Sequence, residues 1–184
     1  ETAARAFAGS YGQAIHEMTG ARDVRMGMYA HSNQPVHHVP WMYLAAGQPW
    51  KAQALTREAL SRLYLGSEIG QGYAGDEDNG EMSAWYLFAM LGLYPLRMGA
   101  PEYAIGSPLF ARADVALENG RTLSVIAHGN APENVYVQSL RVNGRPWTRT
   151  WLPHAEIAGG GTLEFTMGPA PSDWGRGADA LPPS

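Results

Sequence analysis

The sequence predicts an α+β protein, helical over residues 1–98 and β-structured over residues 99–184. Three observations carry this. Apolar residues recur at helical spacing through the first half. From Tyr103 onward, short runs rich in β-branched and aromatic residues replace them, separated by turn signals such as Asn119-Gly120, Asn143-Gly144 and Gly159-Gly160-Gly161. With 184 residues, 45% of them hydrophobic, the chain can bury a sizeable core.

Taken in order, residues 2–19 are Ala-rich and place Phe7, Tyr11, Ile15 and Met18 at helical spacing, with Gly20 as the stop. A loop is expected over 21–33. Pro35 suits a first helical position, with Asn33 or Gln34 at the cap, so a second helix is expected up to Gly47. Its neighbouring His37 and His38 point in different directions on a helix. They lack the i, i+4 spacing that lets two imidazoles share zinc, so hydrogen-bonded histidines are the better reading. Pro49 opens a clearer helix to Tyr64, with Leu55, Ala59, Leu60 and Leu63 as the buried stripe. Lys51, Arg57 and Arg62 are expected in water, and Glu58 and Arg62 form an i, i+4 pair. Met82 to Leu91 is apolar on every side, which predicts a helix buried all round, and Gly92 and Pro95 end it. Strands are expected over 115–117, 123–127, 135–142 and 162–167, the first two joined by a hairpin at Asn119-Gly120.

Composition narrows the function classes. A net charge of −4 gives nothing for nucleic acid to bind, and no apolar run is long enough to span a bilayer as a helix. The absence of Cys excludes disulfides and thiolate metal sites. Six Trp and nine Tyr suit a sugar-binding cleft as well as a large core. The chain starts at Glu1 in sequence that already reads as helix, so it is expected to be the interior of a longer polypeptide.

The stretch with most chemical content is Gly72-Tyr73-Ala74-Gly75-Asp76-Glu77-Asp78-Asn79-Gly80-Glu81. Three adjacent carboxylates repel one another and are costly to desolvate, yet they stand at the mouth of the most apolar helix. If the segment is extended, Asp76 and Asp78 project to one side and Glu77 to the other. A second reading stays open: a solvated turn capping the helix, with Asp78 or Asn79 as N-cap and Glu81 in the first turn. An EF-hand loop is excluded, because Gly80 falls at the fifth loop position, where Asp or Asn belongs.

Six segments combine into one pattern. They are Asn33-Gln34-Pro35 with His37-His38-Val39-Pro40-Trp41-Met42-Tyr43; Ala46-Gly47-Gln48-Pro49-Trp50-Lys51; Gly75-Asp76-Glu77-Asp78-Asn79-Gly80 through Trp85-Tyr86; Leu91-Gly92-Leu93-Tyr94-Pro95; Tyr103-Ala104-Ile105-Gly106-Ser107-Pro108; and Val142-Asn143-Gly144-Arg145-Pro146-Trp147. In this order and spacing, over about residues 27–176, the chain resembles the C-terminal part of glycoside hydrolase family 92, the bacterial exo-acting α-mannosidases. The resemblance implies the last helices of an (α/α)6-barrel catalytic domain followed by a small antiparallel β region. It implies calcium-dependent inversion, with secreted or periplasmic location and mannose-containing glycans as substrate, α-1,2 linkages being the expected type.

By the same resemblance Asp76 and Asp78 correspond to the family's base-side aspartates. An inverting glycosidase holds its acid roughly 6.5–9.5 Å from its base, across the sugar. Neighbours on one loop cannot supply both, so the proton donor is expected on the missing N-terminal part of the polypeptide, and the 184 residues alone are expected to be inactive. Asn33 and Gln34 are the implied calcium ligands, Gln34 standing where many members carry Glu. His31, Gln34 and Asn79 are the implied sugar contacts, while Trp41 is assigned to packing and His154 to structure. The alternative is a non-catalytic carbohydrate- or calcium-binding module.

Overall fold

Pro49 has no N–H to lose at a first helical position, and α1 (Pro49–Leu63) starts there in the computed structural model, which describes residues 26, 29–64 and 72–183. The helix expected over 2–19 lies outside the described residues. Ala52, Thr56, Ala59, Leu60 and Leu63 form the buried face of α1, while Leu55 is only half-buried. Arg57, expected in water, is 7% exposed. It stands four residues after Gln53 and three before Leu60, so helical geometry sets it on the buried face with both. Glu58 and Arg62 pair as expected.

Two 3-10 turns, η1 (Gln34–Val36) and η2 (Val39–Tyr43), replace the α-helix expected between Pro35 and Gly47. Pro40 has no N–H to bond to Val36, and its ring crowds that carbonyl. The shorter turns drive Trp41 into the core, where it is fully buried, stacks on Tyr94 at 5.1 Å and closes against Gly106. A Cβ on Gly106 would fall 2.7 Å from the indole.

α2 (Glu81–Met90) buries Met82, Trp85 and Ala89 only; Leu87 is 52% exposed. The expectation of burial all round is therefore not met among the described residues. Hydrophobicity counts what a helix can bury, not how many neighbours it has.

The β-structure forms two sheets. β1 (Leu93–Tyr94), β2 (Glu102–Ile105) and β7 (Trp151–Pro153) pair antiparallel in the order β1-β2-β7. The second runs β3-β4-β8-β5-β6, from β3 (Arg112–Ala116), β4 (Thr122–His128), β5 (Tyr136–Val142), β6 (Arg145–Pro146) and β8 (Gly161–Gly168). The Asn119-Gly120 hairpin joins β3 to β4, setting Ala116 opposite Thr122. One pairing departs from the antiparallel expectation. β8 lies parallel to β4, Leu123 facing Gly161, which is possible because residues 129–160 supply the long connection that a parallel pair needs.

Alternate residues Leu123, Val125 and Ala127 of β4 meet Leu163, Phe165 and Met167 of β8 in the core. On β5 the inward positions are Val137, Leu140 and Val142, and the step of three comes from a bulge between Val137 and Ser139. Among the described residues no helix is long and apolar enough to cross a membrane.

Candidate active site

The acidic loop is seated by its glycines. Gly75 has φ of 76°, and a Cβ there would stand 2.5 Å from the Cβ of Ser32, so only glycine lets the loop lie against residues 31–34. The Gln34 Nε2–H donates to the Asp76 carbonyl at 3.4 Å. Two stretches singled out in the sequence, some forty residues apart, are thus side by side.

Past Glu77 the loop is not extended. Asp78, Asn79 and Gly80 follow one another with φ of 53°, 60° and 97°, the left-handed region that Asp and Asn tolerate better than most residues. The period-two alternation that set Asp76 and Asp78 on one side therefore stops before Asp78. Gly80, not Asp78 or Asn79, is the N-cap of α2. The capping acceptor is Glu77, whose carboxylate takes the N–H of Gly80 and, at 3.0 Å, that of Ser83. The Ser83 N–H is the main reason the Glu77 carboxyl is held below its ordinary range. One of the three acids is thus structural. Asp76, Asp78 and Asn79 are exposed, and among the described residues neither aspartate carboxylate accepts a hydrogen bond.

Behind the loop lies a buried aromatic network. The Tyr64 hydroxyl donates to the Met82 carbonyl at 3.2 Å, so it accepts the His31 Nε2–H at 2.7 Å. Nδ1 of His31 is then the acceptor for the Tyr29 hydroxyl, also at 2.7 Å. His31 is 2% exposed, stacks on His37 at 4.5 Å, and meets Trp85 edge-on at 4.4 Å. His37 donates from Nε2 to the His31 carbonyl at 2.9 Å, and Trp85 donates to the His37 carbonyl at 3.1 Å. Burial, and secondarily His37, lowers the His31 pKa to about 3, so the ring is neutral at neutral pH. With both nitrogens engaged, His31 has no donor or acceptor to offer a sugar hydroxyl in this geometry. His154 accepts from or donates to the Tyr103 hydroxyl at 2.9 Å through Nδ1.

Asn33 and Gln34 present neutral amide oxygens, the donor class that calcium takes alongside carboxylates and carbonyls. Among the described residues, no three His, Cys, Asp or Glu side chains gather where they could hold a metal. The donors present fit part of a hard-cation shell, one supplied by neutral oxygen.

Glu77 as the capping residue, Tyr29 and Tyr64 as the partners of His31, and Arg57 as a buried cation escaped the sequence reading. Only Arg57 left a usable signal, its i+4 spacing from Gln53 and i−3 spacing from Leu60.

The model of the glycosyl hydrolase family 92 catalytic domain matches residues 5–169. A secreted glycosidase of Arthroderma benhamiae is 34% identical over 158 residues, which are 83% of this chain and 20% of that protein. Among solved structures, an inverting family 92 mannosidase from Bacteroides thetaiotaomicron is 43% identical with a TM-score of 0.79, covering 96% of this chain and 24% of its own. A family 92 α-mannosidase from the same organism, solved with mannoimidazole, is 36% identical with a TM-score of 0.83, covering 90% and 22%. The chain spans about a fifth of the length of the curated relative it matches.

Proposed function

We propose a function from one premise: this chain belongs to glycosyl hydrolase family 92. The full-length protein is an exo-acting α-mannosidase that inverts the anomeric centre, with mannose-containing glycans of α-1,2 type as its substrates. The observation that carries this reading is the acidic loop held against residues 31–34 by Gly75 and Gln34, in a chain 43% identical to an inverting mannosidase. Residues 1–98 complete the helical catalytic barrel, and residues 99–184 form the β region behind it. A relative that is a secreted glycosidase supports a secreted or periplasmic location.

With Glu77 committed to the helix, Asp76 and Asp78 are the acids left to orient a water and remove its proton as it attacks the anomeric carbon. The proton for the leaving oxygen comes from an acid on the opposite face of the sugar, outside these 184 residues. Asn79 and Gln34 hold sugar hydroxyls. His31 acts from behind them, fixing Tyr64 under the start of α2 rather than touching sugar. Asn33 and Gln34 are the calcium ligands in this chain, and calcium, when bound, supplies positive charge against ring hydroxyls.

The test is Asp78→Asn in the full-length protein. The exchange keeps the side chain's size and removes the basic oxygen, so kcat for an aryl α-mannoside drops at least about a thousandfold while mannoimidazole still binds. Loss of binding with turnover intact per bound substrate would instead mark a binding module. The 184 residues alone, assayed in parallel, release no mannose.

A further inference from the structure

A cleft of about 630 Å³ opens between the last turns of α1 and the loops that flank β3 and β5. That volume lies in the range of small-molecule pockets, roughly 300–1,000 Å³, and a seam between two parts of a fold is where such pockets collect. Its walls include Ala54, Leu109, Pro132 and Val135, and Phe110, 45% exposed, stands at its edge.

Arg57 lines this cleft and is 7% exposed. Its Nη1 donates to the Pro108 carbonyl at 2.6 Å, to Asn130 Oδ1 at 2.8 Å and, weakly, to Ser107 Oγ at 3.5 Å; Nη2 donates to the Ala131 carbonyl at 3.3 Å. All four acceptors are neutral. Among the described residues Nε–H has no acceptor and no carboxylate pairs with the guanidinium. Glu58, the acid on the cleft wall, is engaged by Arg62. A buried cation offered only dipoles remains under-compensated, and burial correspondingly lowers its pKa.

We propose that this cleft is a binding site for a small organic carboxylate, whose oxygens take the open edge of Arg57 while its apolar body lies against Phe110, Leu109 and Pro132. A planar guanidinium matches a carboxylate through two parallel N–H···O bonds. One guanidinium among apolar walls, with Glu58 nearby, suits a monoanion with hydrocarbon attached better than a compact, strongly hydrated dianion. The site is independent of the mannosidase reading, because nothing in it involves Asp76 or Asp78.

The experiment measures binding, not turnover, on the full-length protein, so its outcome and that of the Asp78→Asn assay are separable. Phenylacetate, its neutral isostere phenylacetamide and inorganic phosphate are titrated by calorimetry and ligand-observed NMR. Phenylacetate is expected to bind saturably at one site, about tenfold or more tighter than the amide or phosphate, since the charged hydrogen bonds distinguish them. Arg57→Lys should weaken it by a similar factor. Because that variant also disturbs the loops, Ala111→Trp, an exposed position that narrows the cleft without touching Arg57, should abolish the same binding with the circular dichroism unchanged. Equal affinity for acid and amide, tighter phosphate binding, no saturable binding, or binding indifferent to Ala111→Trp would each overturn the proposal.

Discussion

At the scale of single residues, His31 makes the most consequential choice. Its ring is neutral in the folded chain because burial and His37 hold its pKa at about 3, whereas an unfolded histidine takes up a proton near 6.5. His37 is also lowered, chiefly by burial. Between these values the unfolded chain binds more protons than the folded one, so stability is fully present above about pH 6.5 and declines as pH falls below it. For His31 alone the slope is about 1.4 kcal/mol per pH unit. Urea unfolding between pH 5 and 7.5 should show it, and His31→Gln should flatten the curve by about one proton; a pH-independent midpoint in that window would show that the ring is solvated. The family resemblance implied a sugar contact for His31, and no spacing in the sequence pointed to the network that surrounds it. Of its two hydrogen-bond partners Tyr29 is a near neighbour in sequence, but Tyr64, which takes the Nε2–H, stands 33 residues away, a distance no spacing rule spans.

At the scale of elements, the acidic loop was legible in its glycines and illegible in its caps. Gly75 and Gly80 both have positive φ, but they do different jobs. A Cβ at Gly75 collides with Ser32, while a Cβ at Gly80 meets nothing within 4 Å. Gly80→Ala therefore costs only the backbone preference, about 1 kcal/mol. Gly75→Ala adds the displacement of residues 31–34, about 1–3 kcal/mol more. Denaturant midpoints of the two variants compare these terms directly; equal losses would mean that the loops do not bear on each other. Glu77 was hidden because a carboxylate reaching forward to Ser83 depends on the left-handed turn between them, which glycine content hints at but residue types do not specify. The same limit explains η1 and η2: Pro35 announced a helix start, but Pro40 decided which kind.

At the scale of the whole molecule, the change of texture near residue 100 did reveal the α+β class, whereas the parallel β4–β8 pair was invisible, since alternation gives a strand its faces but not its direction. What couples the helical part to the sheets is also not an apolar pattern. Gln53, 2% exposed on α1, accepts the Val137 N–H of β5 at 3.1 Å, and Arg57 binds the 108 and 131 carbonyls one turn further on. The helical core holds Trp41 and Trp85, and the β core holds Trp174 with Trp147 packed against it, so tryptophan fluorescence reads both cores while the β-sheet circular dichroism reads the sheets alone. Gln53→Ala strips a buried N–H of its acceptor at the start of β5, which should cost about 1–3 kcal/mol. Because the bond bridges both cores, fluorescence of the tryptophans and the β-sheet circular dichroism should lose stability together, with coincident midpoints. Separation of the two signals in the variant, where the parent shows one transition, would mean that the bond couples two units that otherwise fold independently. A loss below about 0.5 kcal/mol would place the coupling elsewhere, in the packing of Trp41 beneath Gly106.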